Sequence, residues 1–289
     1  MTSAQFVSLI FQGLTLGGLY AMIGAGLALN YGILKVLQLA HGEYITYGAF
    51  AAVGAIVLFP DLPFPIVLLA AFLACALLGA VAQWLIVERA MSYRDEVVAM
   101  LVTFGMAVVL RDSLVEVVGA DLRGLSVGRL GQANFTVGGL TLGVLPLLSL
   151  GIAVASFGLL AFLTFKTHLG RQIRAVSDLP DIAALVGVPV KRIHVIVAAL
   201  SAGLAAIAGV LLAMRASVSP FSGLDNLLIA FEVVVLGGLG SIRGVLWAGL
   251  LLGMTQVVST WLDSNAGLFY VHLVFFIVLV FRAKTGRLS

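Results

Sequence analysis

Long apolar runs alternate with short polar punctuation along almost the whole of this chain of 289 residues. A helix needs about 20 apolar residues to cross ~30 Å of hydrocarbon. The first run, Phe6 to Leu34, exceeds that length and is interrupted by Gly17, Gly18, Gly24, Gly26 and Gly32, with Asn30 near its end. After Lys35 a second run extends from Leu39 to Phe59 and opens on Ala40-His41-Gly42-Glu43-Tyr44. A proline-rich turn around Asp61 leads to a third run, Ile66 to Val87, which ends at Glu88-Arg89. The fourth, Val97 to Val118, carries Arg111, Asp112 and Glu116 in its last third, and a Gly-rich polar loop follows over 120–140. Leu142 to Phe165 and Ile193 to Met214 flank a polar block, 166–192, and Arg215 to Asn226 reads as a loop. Three shorter runs close the chain: Leu227 to Leu239, Val245 to Leu262 and Leu268 to Phe281, the first two separated by Gly240-Ser241-Ile242-Arg243-Gly244. The pattern predicts an all-α, polytopic transmembrane helical bundle of about 8–9 spans forming one domain over 1–289. Broken or re-entrant helices are expected in 20–60 and 227–262, and no internal repeat is visible.

Composition sharpens this. The chain is 62% hydrophobic and 10% charged, with a mean hydropathy of +1.17, against about 25% charged residues in a soluble domain. Lipid must be the solvent. The formal charge of +3 sits in connecting loops and does not point to nucleic acid. One cysteine, Cys75, lies inside an apolar run, so no intrachain disulfide can form. The N-terminus lacks the basic leader of a signal peptide, and its first run is too long for an h-region, so it is expected to be retained as a span. His168, His194 and His272 have no second ligand at metal spacing; no metal site or resident cofactor is expected. No G-x-x-x-x-G-K-[ST] is present, so the chain cannot cradle ATP phosphates in the P-loop manner.

Orientation follows from the bias of Lys and Arg in short loops. With 166–192 placed in the cytoplasm and the spans alternating, Lys35, Arg89, Arg94, Arg243, Arg282, Lys284, Arg287 and the five basic residues of the block fall inside. Arg123, Arg129 and Arg215 fall outside. Twelve against three implies an outside N-terminus, an inside C-terminus and roughly nine crossings.

The 166–192 block holds Lys166, Arg171, Arg174, Lys191 and Arg192 with Asp178, Asp181, Pro180 and Pro189. Asp178 is placed to cap a short helix that begins at Pro180, carries Asp181 in its first turn and stops at Gly187. Two readings fit: a basic loop that only fixes topology, or a docking helix for a soluble subunit. Within the apolar runs, ionisable residues are functional candidates by default. His41 and Glu43 stand two apart and face different directions on a helix. They fit either a cytoplasmic-interface position or a path across the membrane, and Glu232 fits a path or a pair with a basic residue of a partner chain. Asn30 to Glu43 and Gly237 to Gly244, with Gly238 and Gly240, are candidate breaks lining a path, since irregular backbone within a membrane is tolerated beside a cavity. Close helix packing through small residues is the alternative.

Asp181-Ile-Ala183-x-x-x-Gly187 is a loose match to the E-A-A-x-x-x-G loop by which ABC-importer permeases contact their ATPases. Four longer stretches carry a more specific likeness: GLTLGGLYAMIGAGLALNYGILKVLQLAHGEY (13–44), ERAMSYRDEVVAMLVTFGMAVVLRD (88–112), GRQIRAVSDLPDIAALVGVPVKRIHVIVAALSAGLAAIAGVLLA (170–213) and AFEVVVLGGLGSIRGVLWAGLLLG (230–253). In order and spacing the chain resembles the LivH-type permease subunits of branched-chain amino-acid ABC importers. The resemblance implies a second related permease, two ABC ATPase subunits that bind the ATP, an extracytoplasmic solute-binding protein and a lipid surround. It also implies alternating access coupled through Arg171, Arg174, Asp178, Pro180, Asp181, Ala183, Ala184 and Gly187. This chain departs from the family at Gln38 (usually Asn), Glu232 (usually small or hydroxyl), Arg243 (usually Pro) and the C-terminal 282–287, which leaves the substrate open to urea or short amides. A stand-alone secondary transporter or channel, and an intramembrane enzyme, are the rival classes. The first would need coupling carboxylates or an internal repeat, the second a convergent nucleophile–base or metal set.

Overall fold

The computed structural model describes residues 3–284 except 94, 127, 129, 130, 132, 138 and 139. Arg94, Arg129 and Arg287 of the charge pattern lie outside the described residues. Helix α1 is one unbroken rod, Ser3–Leu34, through all of its glycines. A link over 35–40, entered through Lys35 at φ 56°, leads to α2 (His41–Leu58). Next come α3 (Phe64–Ala82), a π-helical turn (Gln83–Val87), α4 (Glu88–Met91) and α5 (Glu96–Val118), whose first turn Asp95 caps through Val97 N–H. A short antiparallel hairpin, β1 (Asn134–Val137) with β2 (Leu140–Gly143), precedes α6 (Val144–Lys166). Helices α7 (His168–Asp178) and α8 (Pro180–Leu185) form the polar block, followed by α9 (Val190–Arg215), α10 (Gly223–Gly237), α11 (Ile242–Leu262) and α12 (Gly267–Lys284).

Among the described residues seven helices are long and apolar enough to cross a membrane, fewer than the 8–9 spans read from the sequence. The difference lies in α2 and α10. The polar opening of α2 lowers its hydropathy, and α10 has only 15 residues. Among the described residues the bundle is helical apart from the hairpin, which the sequence reading above does not include.

The core is built on α1 and α9, antiparallel neighbours that touch at their middles. Ser201 Oγ donates to the Gly26 carbonyl at 2.7 Å, and a Cβ on Gly26 would lie 2.6 Å from the Ser201 carbonyl oxygen. Around this pair two sets of elements pack alike. In each, a long helix (α1 or α9) leads through an irregular link to a short helix (α2 or α10) and then to another long helix (α3 or α11). The partners are exchanged: α10 and α11 pack on α1, α2 and α3 pack on α9, and α2 meets α10. Placing Gly42 over Gly223 also brings Leu34, the last residue of α1, over Arg215, the last of α9. This is an inverted repeat, an arrangement known to place a site at the repeat interface. It was invisible in the sequence because the two sets share little beyond scattered small residues.

The charges sort to the two ends. Lys35, Arg174 and Arg243 line one cavity, and Arg282 donates to the Val235 carbonyl nearby. At the opposite end Arg123 pairs through its backbone with Val218, close beyond Arg215. The basic end is therefore the cytoplasmic one.

Candidate functional site

The two short helices begin in the middle of the bundle. His41 Nε2 donates to the carbonyl of Ile23 at 3.0 Å. Ile23 lies eleven residues before the cytoplasmic end of α1, about 16 Å in at 1.5 Å per residue and so near the centre of ~30 Å of hydrocarbon. Gly42 there meets the first turn of α10. A Cβ on Gly42 would overlap the Gly223 carbonyl oxygen, and one on Gly223 would overlap the Glu43 carboxylate. Glu43 thus sits against the N-terminal end of α10, where the helix dipole favours negative charge.

This junction is closed and polar. His41, Glu43 and Asn226 are buried. Among the described residues His41 Nδ1, Glu43 Oε2 and Asn226 Nδ2 have no hydrogen-bond partner, although buried polar groups are ordinarily paired. The link that feeds it is pinned by Thr103 of α5, which accepts from Leu39 N–H and donates to the Leu37 carbonyl, both at 3.2 Å. His41 and Glu43 are therefore deep in the bundle rather than at the cytoplasmic interface. Asn226, Gly223 and Thr103 were missed. Asn226 had been read as the last residue of an outer loop, and Thr103 is a lone hydroxyl in an apolar run.

The other path candidates are elsewhere. Asn30 is buried in unbroken α1. Gly238 and Gly240 adopt φ 93° and 83°, turning the chain sharply between α10 and α11. A Cβ on Gly240 would stand 2.9 Å from Gly32 Cα, and one on Gly237 would stand 2.5 Å from the Gly244 backbone. The glycines of this break serve close backbone packing at the cytoplasmic end. Glu232 is buried and bonded to His272 Nδ1 of α12 at 2.5 Å, with Oε2 unpartnered. Its partner lies within this chain.

At the outer end two adjoining cavities of about 380 and 580 Å³ share Ser8, Gln12 and Arg215. A hydrogen bond between Tyr20 and Gln256 lies one turn further in. The outer approach is thus lined by uncharged hydrogen-bonding groups around one cation.

At the cytoplasmic end Thr167 caps α7 through Gly170 N–H, and Arg174 donates to the Thr164 carbonyl, fastening α7 to α6. Asp178 does not cap α8 as the sequence suggested. It is the last residue of α7, Leu179 takes the N-cap position, and no side chain caps α8. Asp181 does lie in the first turn. The end of α8 is a Schellman motif: Val188 N–H bonds to the Ala183 carbonyl and Gly187 N–H to that of Ala184, with Gly187 at φ 85°. Ala183 is buried and anchors the helix, whereas Leu185 (86%) and Val186 (74%) are exposed, together with Leu179 and Ile182. Arg171 and Ala184 are exposed as well. Among the described residues no group of three or more His, Cys, Asp and Glu could hold a metal ion.

A family model described as branched-chain amino acid transport system / permease component matches residues 9–283. The chain is 30% identical to the high-affinity branched-chain amino acid transport system permease protein BraD of Pseudomonas aeruginosa, over 99% of this chain and 96% of that protein. It is 27% identical to the permease protein LivH of Escherichia coli, over 98% and 96%. It is also 27% identical to a probable LivH of Methanocaldococcus jannaschii, over 86% and 79%. No solved structure matches the chain. A bundle of membrane-crossing helices matched end to end by permeases has one assignment: the chain belongs to the family of permease components of branched-chain amino acid transport systems, and is a transport subunit rather than an enzyme.

Proposed function

We propose that this chain is the transmembrane subunit of an ATP-driven ABC importer that carries branched-chain amino acids across the bacterial inner membrane by alternating access. It works with a second related permease, two cytoplasmic ATPases and an extracytoplasmic binding protein. The observation that carries this reading is α8: a short helix at the basic end, anchored by Ala183, with Leu179, Ile182, Leu185 and Val186 more than half exposed. An apolar ridge of that kind in water calls for a partner groove. The chain has no P-loop of its own, so ATP must be bound by that partner. Arg174 and the short α7 link the ridge to α6, and Ser177 Oγ donates to the Gly32 carbonyl at the end of α1, which supports transmission of an ATPase movement into the α1–α9 core. The central junction of His41, Glu43 and Asn226 is the gate in this reading. Its unpartnered polar atoms acquire water or substrate when the two short helices part.

The test is co-purification from mild detergent of the native chain and Gly187→Arg. At φ 85° a side chain costs ~1–2 kcal/mol, and arginine also places bulk and charge beside the ridge. Two nucleotide-binding subunits are expected with the native chain and none with the variant, both eluting as folded membrane proteins. Absence of any ATPase from the native preparation would sink the importer reading.

A further inference from the structure

A cavity of about 550 Å³ opens at the cytoplasmic end, where the ends of α1 and α6 meet α7 and the break before α11. Lys35, Arg174 and Arg243 line it, and no Asp or Glu does. The guanidinium groups of Arg174 and Arg243 share one aromatic ring, lying 5.9 and 5.8 Å from the centroid of Phe165. A ring face attracts each cation but leaves their mutual repulsion uncompensated. None of the three takes part in an ion pair among the described residues. An anion is the missing member of this cluster.

Neutral donors support the same ligand. The Ser241 hydroxyl accepts from Gly244 N–H, so its proton is free to donate outward. Ile242 and Arg243 lie in the first turn of α11, where N–H groups have no carbonyl of their own helix to bond. The walls narrow the class further. Leu29, Ile33, Leu239 and Ile242 also line the cavity, and an inorganic or nucleotide phosphate would leave them facing water. One helical turn deeper, Phe162 on α6 and Trp247 on α11 are exposed, which offers a path for hydrocarbon continuing toward the bilayer.

We propose that this cavity binds the headgroup phosphate of an anionic glycerophospholipid of the inner leaflet, held between Lys35, Arg174 and Arg243 with Phe165 as its floor. Basic pockets between transmembrane helices on the cytoplasmic side suit such headgroups. Bound there, the phosphate bridges α7 to the start of α11 and the end of α1, joining the segment that carries α8 to the core. The site stands on this chain alone and does not depend on the transport reading.

The purified chain in detergent is examined by native mass spectrometry with phosphatidylglycerol, phosphatidylcholine or inorganic phosphate added. Phosphatidylglycerol should be retained and phosphatidylcholine not, and millimolar inorganic phosphate should fail to displace the lipid. Lys35→Gln/Arg243→Gln should weaken phosphatidylglycerol binding about thirtyfold, from about fivefold for each basic residue beside an anionic lipid. Lys35→Arg/Arg243→Lys keeps both charges and should bind within about threefold of the native chain. Equal retention of the two lipids, native binding by the Gln variant, or loss of binding by the charge-keeping variant overturns the proposal. Full displacement by inorganic phosphate also overturns it, because that makes the cavity a free-anion site.

Discussion

Glu232 shows what a single residue can and cannot disclose. A carboxylate deep in an apolar run is conspicuous in sequence, and its departure from the family pattern was legible. Its partner was not, because His272 lies forty residues away on another helix. The side chains are 40% (His272) and 2% (Glu232) exposed, so one end of the pair is open and the other sealed. Removing only the histidine strands a buried carboxyl group. His272→Ala should therefore cost about 1–3 kcal/mol, the price of an unsatisfied buried polar group. The double variant Glu232→Leu/His272→Leu, which replaces both members with apolar groups of similar size, should recover most of that loss, since such a replacement of a buried pair is often near neutral. Thermal unfolding midpoints in detergent decide the matter: a double variant less stable than His272→Ala would show that Glu232 is stabilised by something other than the imidazole.

At the scale of elements, the decisive features are two places where a helix does not begin at a membrane surface. One was readable. The polar cluster His41-Gly42-Glu43 after Lys35 marked a break, and the structure puts it at 35–40 with α2 starting near mid-membrane. The other was readable in part: a broken or re-entrant helix was expected within 227–262, but Ser217, Ser219, Pro220 and Ser222 before it have the composition of an ordinary outer loop. Nothing local says that the chain dips inward before α10. The hairpin over 134–143 was legible but overlooked: Phe135, Val137, Leu140 and Leu142 alternate with Thr136 and Thr141 on either side of Gly138-Gly139, the pattern that marks a two-residue-turn hairpin. Where the two short helices meet, the backbones touch through glycine, and this gives a contrast of equivalent substitutions. Gly42→Ala drives a Cβ into the Gly223 carbonyl, and backbone cannot yield as a side-chain tip can. A loss of about 1–3 kcal/mol is expected from overpacking, with reduced transport in the assembled complex. Gly54→Ala, on the same helix with nothing within 4 Å of its Cβ, should gain about 0.5–1 kcal/mol from helix propensity. If both alanines behave alike in unfolding midpoint and transport, the glycine contact is not what positions the junction.

The whole molecule combines these elements into two sets of opposite orientation around α1 and α9. The irregular links therefore reach the middle from opposite faces, 35–40 from the basic end and 216–222 from the other. The basic residues of the short loops stay together in the fold, because Lys35, Arg174, Arg243 and Arg282 gather at one end, and the positive-inside bias assigns that end to the cytoplasm. Labelling of single cysteines can test orientation and gate together in a Cys75→Ser background, the native thiol being buried. Leu122 is exposed beside Arg123 at the outer end, and Tyr93 is exposed next to Ala90, which packs with Val36 at the basic end. Leu122→Cys should react with an impermeant maleimide in intact cells, and Tyr93→Cys only after the membrane is opened. Asn226→Cys, buried at the junction, should be silent in the resting complex and gain reactivity during ATP turnover, when the short helices separate. Reaction of Tyr93→Cys in intact cells would invert the topology. A silent Asn226→Cys throughout turnover, with transport intact, would move the path away from the junction and toward the outer cavities around Arg215.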